Sequence, residues 1–200
     1  MLNEFCKYFI CFMVFSFIGW VYESIFYSVQ LRRPVNTGFL KGCICPIYGF
    51  GGMLLLPIAR MNFDIKTIFF MGMLVCSVLE YFISWLLEYL FDARWWDYSD
   101  WPLNLNGRIC AVSVFGFGVA SLIGTQIIIP GVLGFVSTMS IIKLHSAAMA
   151  IAAILGADIC YTLKNMNPGE KLPWFVEEHS QMVEKHKNNI GEAIRKIMRK

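Results

Sequence analysis

Runs of mainly apolar residues, 17 to 25 long, recur along the chain at 8–31, 43–59, 67–91, 109–129 and 144–163. A helix needs about 17–25 such residues to cross the hydrocarbon of a bilayer. Composition agrees, since 57% of the 200 residues are hydrophobic and 16% charged, whereas soluble domains carry about 45–50% and about 25%. A single soluble core would not absorb that much apolar surface, while side chains facing lipid need no protein cover. The sequence therefore predicts an all-α membrane protein of about five transmembrane helices, with 1–163 as the membrane domain and 164–200 as a charged tail.

The ends of these spans carry stop signals. Arg32-Arg33-Pro34 closes the first, because charge resists the hydrocarbon and proline disfavours helix in the residue before it. Gly42 opens the second, which is rich in glycine at Gly49, Gly51 and Gly52, and a polar link over 60–66 leads to the third. A loop dense in Trp, Asp and Asn fills 92–108, and Pro130-Gly131 ends the fourth span. The stretch 132–142 is apolar but short, and reads either as an interfacial segment or as a hidden sixth crossing. The first run is long and no small-residue cleavage site follows it, so it reads as a retained helix, not a signal peptide.

Charge placement sets the orientation. With five crossings, Arg32, Arg33, Lys41, Arg94, Arg108 and the tail share one side, while Lys7, Arg60, Lys66 and Lys143 share the other. The positive-inside pattern makes the first side cytoplasmic. This expects a multi-pass protein of the cell membrane with its N-terminus outside and its C-terminus in the cytoplasm. From Lys164 onward there are 8 Lys+Arg against 5 Asp+Glu, the whole of the chain's net +3. Over 174–198, Val183, Ile190, Ile194 and Ile197 fall near helical spacing among charges. That pattern suits a cytoplasmic amphipathic helix lying on the membrane, docking a partner, or standing in solvent.

An internal echo links the two halves. Cys43-Ile-Cys-Pro-Ile-Tyr-Gly-Phe-Gly51 matches Cys110-Ala-Val-Ser-Val-Phe-Gly-Phe-Gly118. Each copy opens a span after an acid-bearing span and an Asn-containing loop. Spans one–two and three–four thus read either as two similar hairpins of one orientation, followed by a fifth helix, or as a chance likeness between glycine-rich membrane helices.

Polar residues inside the spans locate the chemistry. Glu23, Glu80 and Glu88 lie in spans one and three, and a charge at mid-bilayer costs about 2.5–3.5 kcal/mol on insertion scales. Such groups face the bundle interior. Glu80, Ser84 and Glu88 recur every four residues, and Ser16, Trp20, Glu23 and Tyr27 make a comparable face on the first helix. The natural counter-charges are Arg32, Arg33, Arg94 and Arg108, whose guanidinium forks suit carboxylate or phosphate. Arginines combined with Asn36, Asn104, Asn106 and the aromatics Tyr48, Trp95, Trp96 and Tyr98 would suit an amphipathic anion or a lipid headgroup. The plainer reading is an interfacial belt of Trp and Tyr with arginines obeying the charge rule. Asp158 in the last span either snorkels or pairs with a basic group, and Lys143 and His145 mark that span's outer boundary. The candidate binding set is Trp20, Glu23, Asn36, Tyr48, Glu80, Glu88, Trp96, Asp97, Tyr98, Asn104, Asn106, Arg108 and Asp158.

Seven cysteines lie mostly in apolar segments and read as packing residues, and Cys43-x-Cys45 lacks zinc-knuckle spacing. No phosphate loop, H-E-x-x-H, G-x-S-x-G or dinucleotide fingerprint occurs, so the chain does not hydrolyse ATP by that route. No cofactor, metal or nucleic acid is expected.

Phe17-Ile18-Gly19-Trp20 with Glu23, then Asn36-Thr37-Gly38-Phe39-Leu40 running into Cys45-Pro46-Ile47-Tyr48-Gly49, resembles the integral membrane family labelled putative ABC-transporter type IV. Arg94-Trp95-Trp96-Asp97-Tyr98-Ser99, with Pro102-Leu103-Asn104-Leu105-Asn106-Gly107-Arg108, is similar to that family's second signature. The resemblance covers 17–158 and implies a multi-span, permease-like protein without assigning a substrate; the tail inherits nothing from it. Three readings follow. The first is a transporter or permease component that handles an ion or an amphipathic, anionic or lipid-like solute through a polar cavity. It would work as a homo-oligomer or with a partner subunit such as a separate ATPase, in contact with membrane lipid. The second is an intramembrane enzyme acting on a lipid or isoprenoid at the cytoplasmic face, with Glu23 or Glu80 as base. The third is a structural or regulatory subunit whose polar residues only assemble helices.

Overall fold

The computed structural model describes residues 1–165 except 39, 62 and 93. The tail helix expected over 174–198 lies outside the described residues. Within them the chain forms five helices: α1 (Leu2–Leu31), α2 (Pro46–Arg60), α3 (Ile65–Phe91), α4 (Ala111–Ser137) and α5 (Ile141–Lys164). No strand forms among the described residues, only an isolated bridge between Leu105 and Ile109. α1, α3, α4 and α5 are long and apolar enough to cross a membrane. α2 has 15 residues, which gives about 22 Å at 1.5 Å per residue, short of a hydrocarbon layer of about 30 Å.

Local chemistry sets the helix ends. α1 stops at Arg32, whose left-handed backbone (φ 52) lets its N–H donate back to Ser28 O, and α3 also ends on a left-handed residue, Asp92 (φ 51). Pro46 starts α2 where the missing N–H costs nothing. Asp64 caps α3 by accepting from the Lys66 N–H, and Ser140 caps α5 by accepting from the Lys143 N–H. Bonded to Thr67 and outside the spans, the Asp64 carboxyl is held below its usual range.

α4 departs from the sequence reading. Pro130 was expected to end the fourth span and leave 132–142 outside it, yet the helix runs on to Ser137. The break falls at 138–140. A π-turn over Gly124–Ile128 makes this possible, with the Ile129 N–H donating to Gly124 O five residues back. The widened turn takes up the clash a proline ring makes with the carbonyl four residues before it.

Small residues bring the helices close. Tyr48 of α2 lies against Gly19 of α1, and Phe12 and Ser16 of α1 lie against Gly49 of α2. Ser121 of α4 occupies the space beside Gly72 of α3. The main core gathers Cys11, Phe15, Leu55, Leu56, Ile58, Ile68 and Ile129, so the C-terminal half of α4 packs on α1 and α2 while its N-terminal half packs on α3. α5 docks on α1 through Leu144 and Ala148, which join Cys6 and Val136. Near the N-terminus, Arg60 donates to the Tyr8 hydroxyl with its guanidinium over the Tyr8 ring.

Candidate functional site

The chain after α1 does not proceed directly into α2. It folds back along α1, and successive helical turns hold it. The Val35 N–H donates to Ser28 Oγ at 2.9 Å, the Ser24 and Thr37 hydroxyls lie 3.0 Å apart, and Trp20 Nε1 donates to Asn36 Oδ1 at 2.6 Å. The Cys45 N–H reaches Ser16 O at 3.0 Å. From Ser28 to Ser16 this retreat covers about 18 Å of helix axis, so α2 starts deep along α1. Asn36 also donates to Lys41 O at 2.9 Å. On the far side, the Gly42 N–H donates to Asp158 Oδ2 at 3.0 Å and the Lys41 N–H to Thr162 Oγ1 at 3.2 Å, which ties the loop to α5.

Glu23 sits where the returning chain begins α2. Its Oε2 accepts from the Cys45 thiol and its Oε1 from the Tyr48 hydroxyl, each at 3.2 Å. Glu80 of α3 accepts from the hydroxyl of Tyr98, carried by the α3–α4 loop. The two carboxyls are close enough to feel one another's charge, and Tyr27 lies in the field of Glu23. Burial, and then the Glu80 carboxyl beside it, push the Tyr98 hydroxyl well above its ordinary range, so Tyr98 stays a donor. One cluster therefore draws Glu23 and Tyr27 from α1, Cys45 and Tyr48 from the start of α2, Glu80 from α3 and Tyr98 from a loop. Among the described residues, the donors bonded to its two carboxyls are neutral hydroxyls and a thiol.

A second cluster closes the end of α3. Glu88 takes Arg94 Nε on Oε1 at 3.1 Å and Arg108 Nη2 on Oε2 at 2.6 Å. Arg94 also reaches Asp97 at 3.8 Å and donates to Asn106 O at 3.2 Å. Arg108 donates to Ser84 Oγ at 3.3 Å and lies over the Tyr81 ring, whose hydroxyl accepts from Asn106 Nδ2 at 2.8 Å. Trp96 Nε1 donates to Arg108 O at 3.0 Å. Asp97 accepts from the Ser99 N–H, and Asn104 bonds Ser99 O, Trp101 O and the Gly107 N–H, so both shape the loop.

Of the residues singled out from sequence, Glu23, Tyr48, Glu80 and Tyr98 meet in the first cluster. Glu88, Trp96, Asp97, Asn104, Asn106 and Arg108 belong to the second, Trp20 and Asn36 hold the back-folded loop, and Asp158 ties that loop to α5. Sequence reasoning passed over Cys45 as an acid's partner, although its place just before Pro46 marks it as the helix-capping position. An open groove of about 720 Å³ runs beside the loop, with Trp20, Ser24, Ser28 and Asn36 among its lining residues and Glu23 not among them. No group of three or more His, Cys, Asp or Glu side chains among the described residues is placed to hold a metal ion.

No curated protein and no solved structure matches the chain. A family described as "Putative ABC-transporter type IV" matches it over residues 10–163, which include all five helices but the first turns of α1 and the last residue of α5. With three quarters of its length inside that match and four helices fit to cross a bilayer, the chain belongs to this transporter-type membrane family.

Proposed function

We propose that this chain is the membrane subunit of a transporter for a cationic or protonatable amphipathic solute, with Glu23 and Glu80 as its polar centre. The observation that carries this reading is that two glutamates of the long helices, Glu23 of α1 and Glu80 of α3, lie within one another's field, and that among the described residues the donors bonded to them come from Tyr and Cys. Charge of that kind is expensive in hydrocarbon and belongs to solute or ion pathways. The nearby arginines that would attract an anion are already engaged, since Arg94 and Arg108 both bond Glu88. Non-helical backbone at membrane depth is tolerated where protein or a water-filled cavity surrounds it, and the back-folded loop beside Glu23 suits the wall of such a cavity.

In this reading α2 and the back-folded loop together complete a fifth crossing, with the N-terminus outside and the C-terminus in the cytoplasm. A separate ATPase subunit would drive the cycle from the cytoplasmic side. The test is saturable uptake of ethidium, an amphipathic cation, by proteoliposomes of the full chain with and without a candidate ATPase. Glu23→Gln and Glu80→Gln are expected to weaken ethidium binding at least tenfold while Glu88→Gln leaves it unchanged. Undiminished binding in both variants, or saturable uptake of an amphipathic anion such as a dansylated sulfonate in its place, overturns the reading.

A further inference from the structure

We propose that the exposed stripe of α4 centred on Gln126 is the surface through which two copies of this chain associate in the membrane. Gln126 lies two residues from Gly124, the midpoint of Ala111–Ser137, and so about 3 Å from the centre of the span. Its side chain is exposed. Among the described residues its one side-chain hydrogen bond is a long one, from Nε2 to the Thr125 hydroxyl at 3.4 Å. Thr125 already donates to Ser121 O at 2.7 Å.

An amide at this depth faces hydrocarbon, and lipid tails offer it neither donor nor acceptor. A soluble partner does not reach mid-bilayer. The occupant is therefore another membrane helix, for which amides act as the adhesive group. A primary amide carries both donor and acceptor, so two Gln126 side chains related by a two-fold axis satisfy each other. This self-complementarity is what an isologous dimer requires, and it selects a second copy of the chain over an unrelated helix.

The shape of the stripe is the second, independent observation. Ile123, Ile127 and Phe135 lie exposed along it at 47%, 66% and 69%. Gly116, Gly131 and Gly134 are interspersed, and a Cβ added at any of them meets nothing within 4 Å. The glycines on the inward side of the same helix behave oppositely, for Gly118 is filled by Phe69 and Met73 and Gly124 by Leu55 and Phe15. Outward glycines leave room for a second α4 to come close, as small residues do between membrane helices.

The test uses the full chain in liposomes. Energy transfer between donor- and acceptor-labelled copies is titrated against lipid, and a photo-crosslinking residue is placed at Ile127 or, as a control, at the exposed Ile154 of α5. Expected are energy transfer above the level of random proximity and a crosslinked product of twice the chain's mass from Ile127 but not from Ile154. Gln126→Leu, which replaces an exposed amide by a side chain at home in lipid, should raise the apparent dimer dissociation constant about 3- to 30-fold. Gln126→Asn should recover part of that loss, and Gly131→Ile should block association sterically. Wild-type energy transfer no higher than random, equal crosslinking from the two positions, or an unchanged dissociation constant in both Gln126→Leu and Gly131→Ile overturns the proposal.

Discussion

The ring of Tyr48 fills the space that a side chain at Gly19 would take. Its hydroxyl then reaches Glu23 one turn further along α1 at 3.2 Å. A close helix approach and the position of a site hydroxyl are thus the same fact. Gly19→Ala should force α1 and α2 apart, because the colliding atoms are the Cβ and inner ring atoms of Tyr48, not a flexible end. A loss of about 1–3 kcal/mol is expected, the usual cost of overpacking, together with weakened ethidium binding. Gly156→Ala on α5 is the control, since a Cβ there meets open space. Denaturant unfolding in micelles, compared across the two variants, decides the matter; equal stabilities would refute it.

Glu88 joins two arginines from different parts of the α3–α4 loop. Arg108 is the better covered of them, with a side chain 12% exposed. Glu88→Gln and Arg108→Gln should each lower Tm. The double variant should fall below either single, since Glu88 also holds Arg94 and Arg108 also holds Ser84, but by less than the sum of the two losses, because the Glu88–Arg108 contact is removed in all three. Additive losses would show that the two residues act separately.

The π-turn in α4 makes room for the Pro130 ring. Deleting Ile127 converts the five-residue turn to ordinary helix and leaves the segment after it on nearly the same face, because the turn holds one residue more than an α-turn. Ile129 and Val136, now 2% and 1% exposed, would keep their cores, but the Pro130 ring would meet the carbonyl four residues before it with no widened turn to absorb the clash, at a cost of about 3 kcal/mol. The deletion should lower Tm, whereas Ile127→Leu should not. An undiminished Tm in the deletion variant would mean that the turn is dispensable.

Much of this architecture was legible in the sequence, and the reasons for the rest are physical. Span length and charge exposed the long helices, and four-residue spacing placed Glu80, Ser84 and Glu88 on one face. Periodicity names a face, however, and not the neighbour it meets. Arg108 looked like a solute ligand because Glu88 lies 20 positions away, across a loop whose course is set by side-chain bonds. Pro130 looked like a terminator because a π-turn leaves no signature in composition. The back-folded loop was half visible, for Ser16, Trp20, Ser24 and Ser28 stand every four residues along α1. Ser16 and Trp20 were grouped with Glu23 and Tyr27 as one face and Ser24 and Ser28 were passed over, yet most of this row binds the chain's own backbone and the neighbouring Asn36 and Thr37.

The same back-folded segment has a consequence for how the protein is made. The described residues of 33–45 have no helical ladder of their own to carry their amides through lipid, and their partners sit on α1 and, for Lys41 and Gly42, on α5. In the five-crossing arrangement proposed above, α2 enters the bilayer only alongside helices already in place. That arrangement has the translocation machinery release α1, loop and α2 as one unit, with the hydroxyls of Ser24 and Ser28 acting as a built-in chaperone for the segment that follows them.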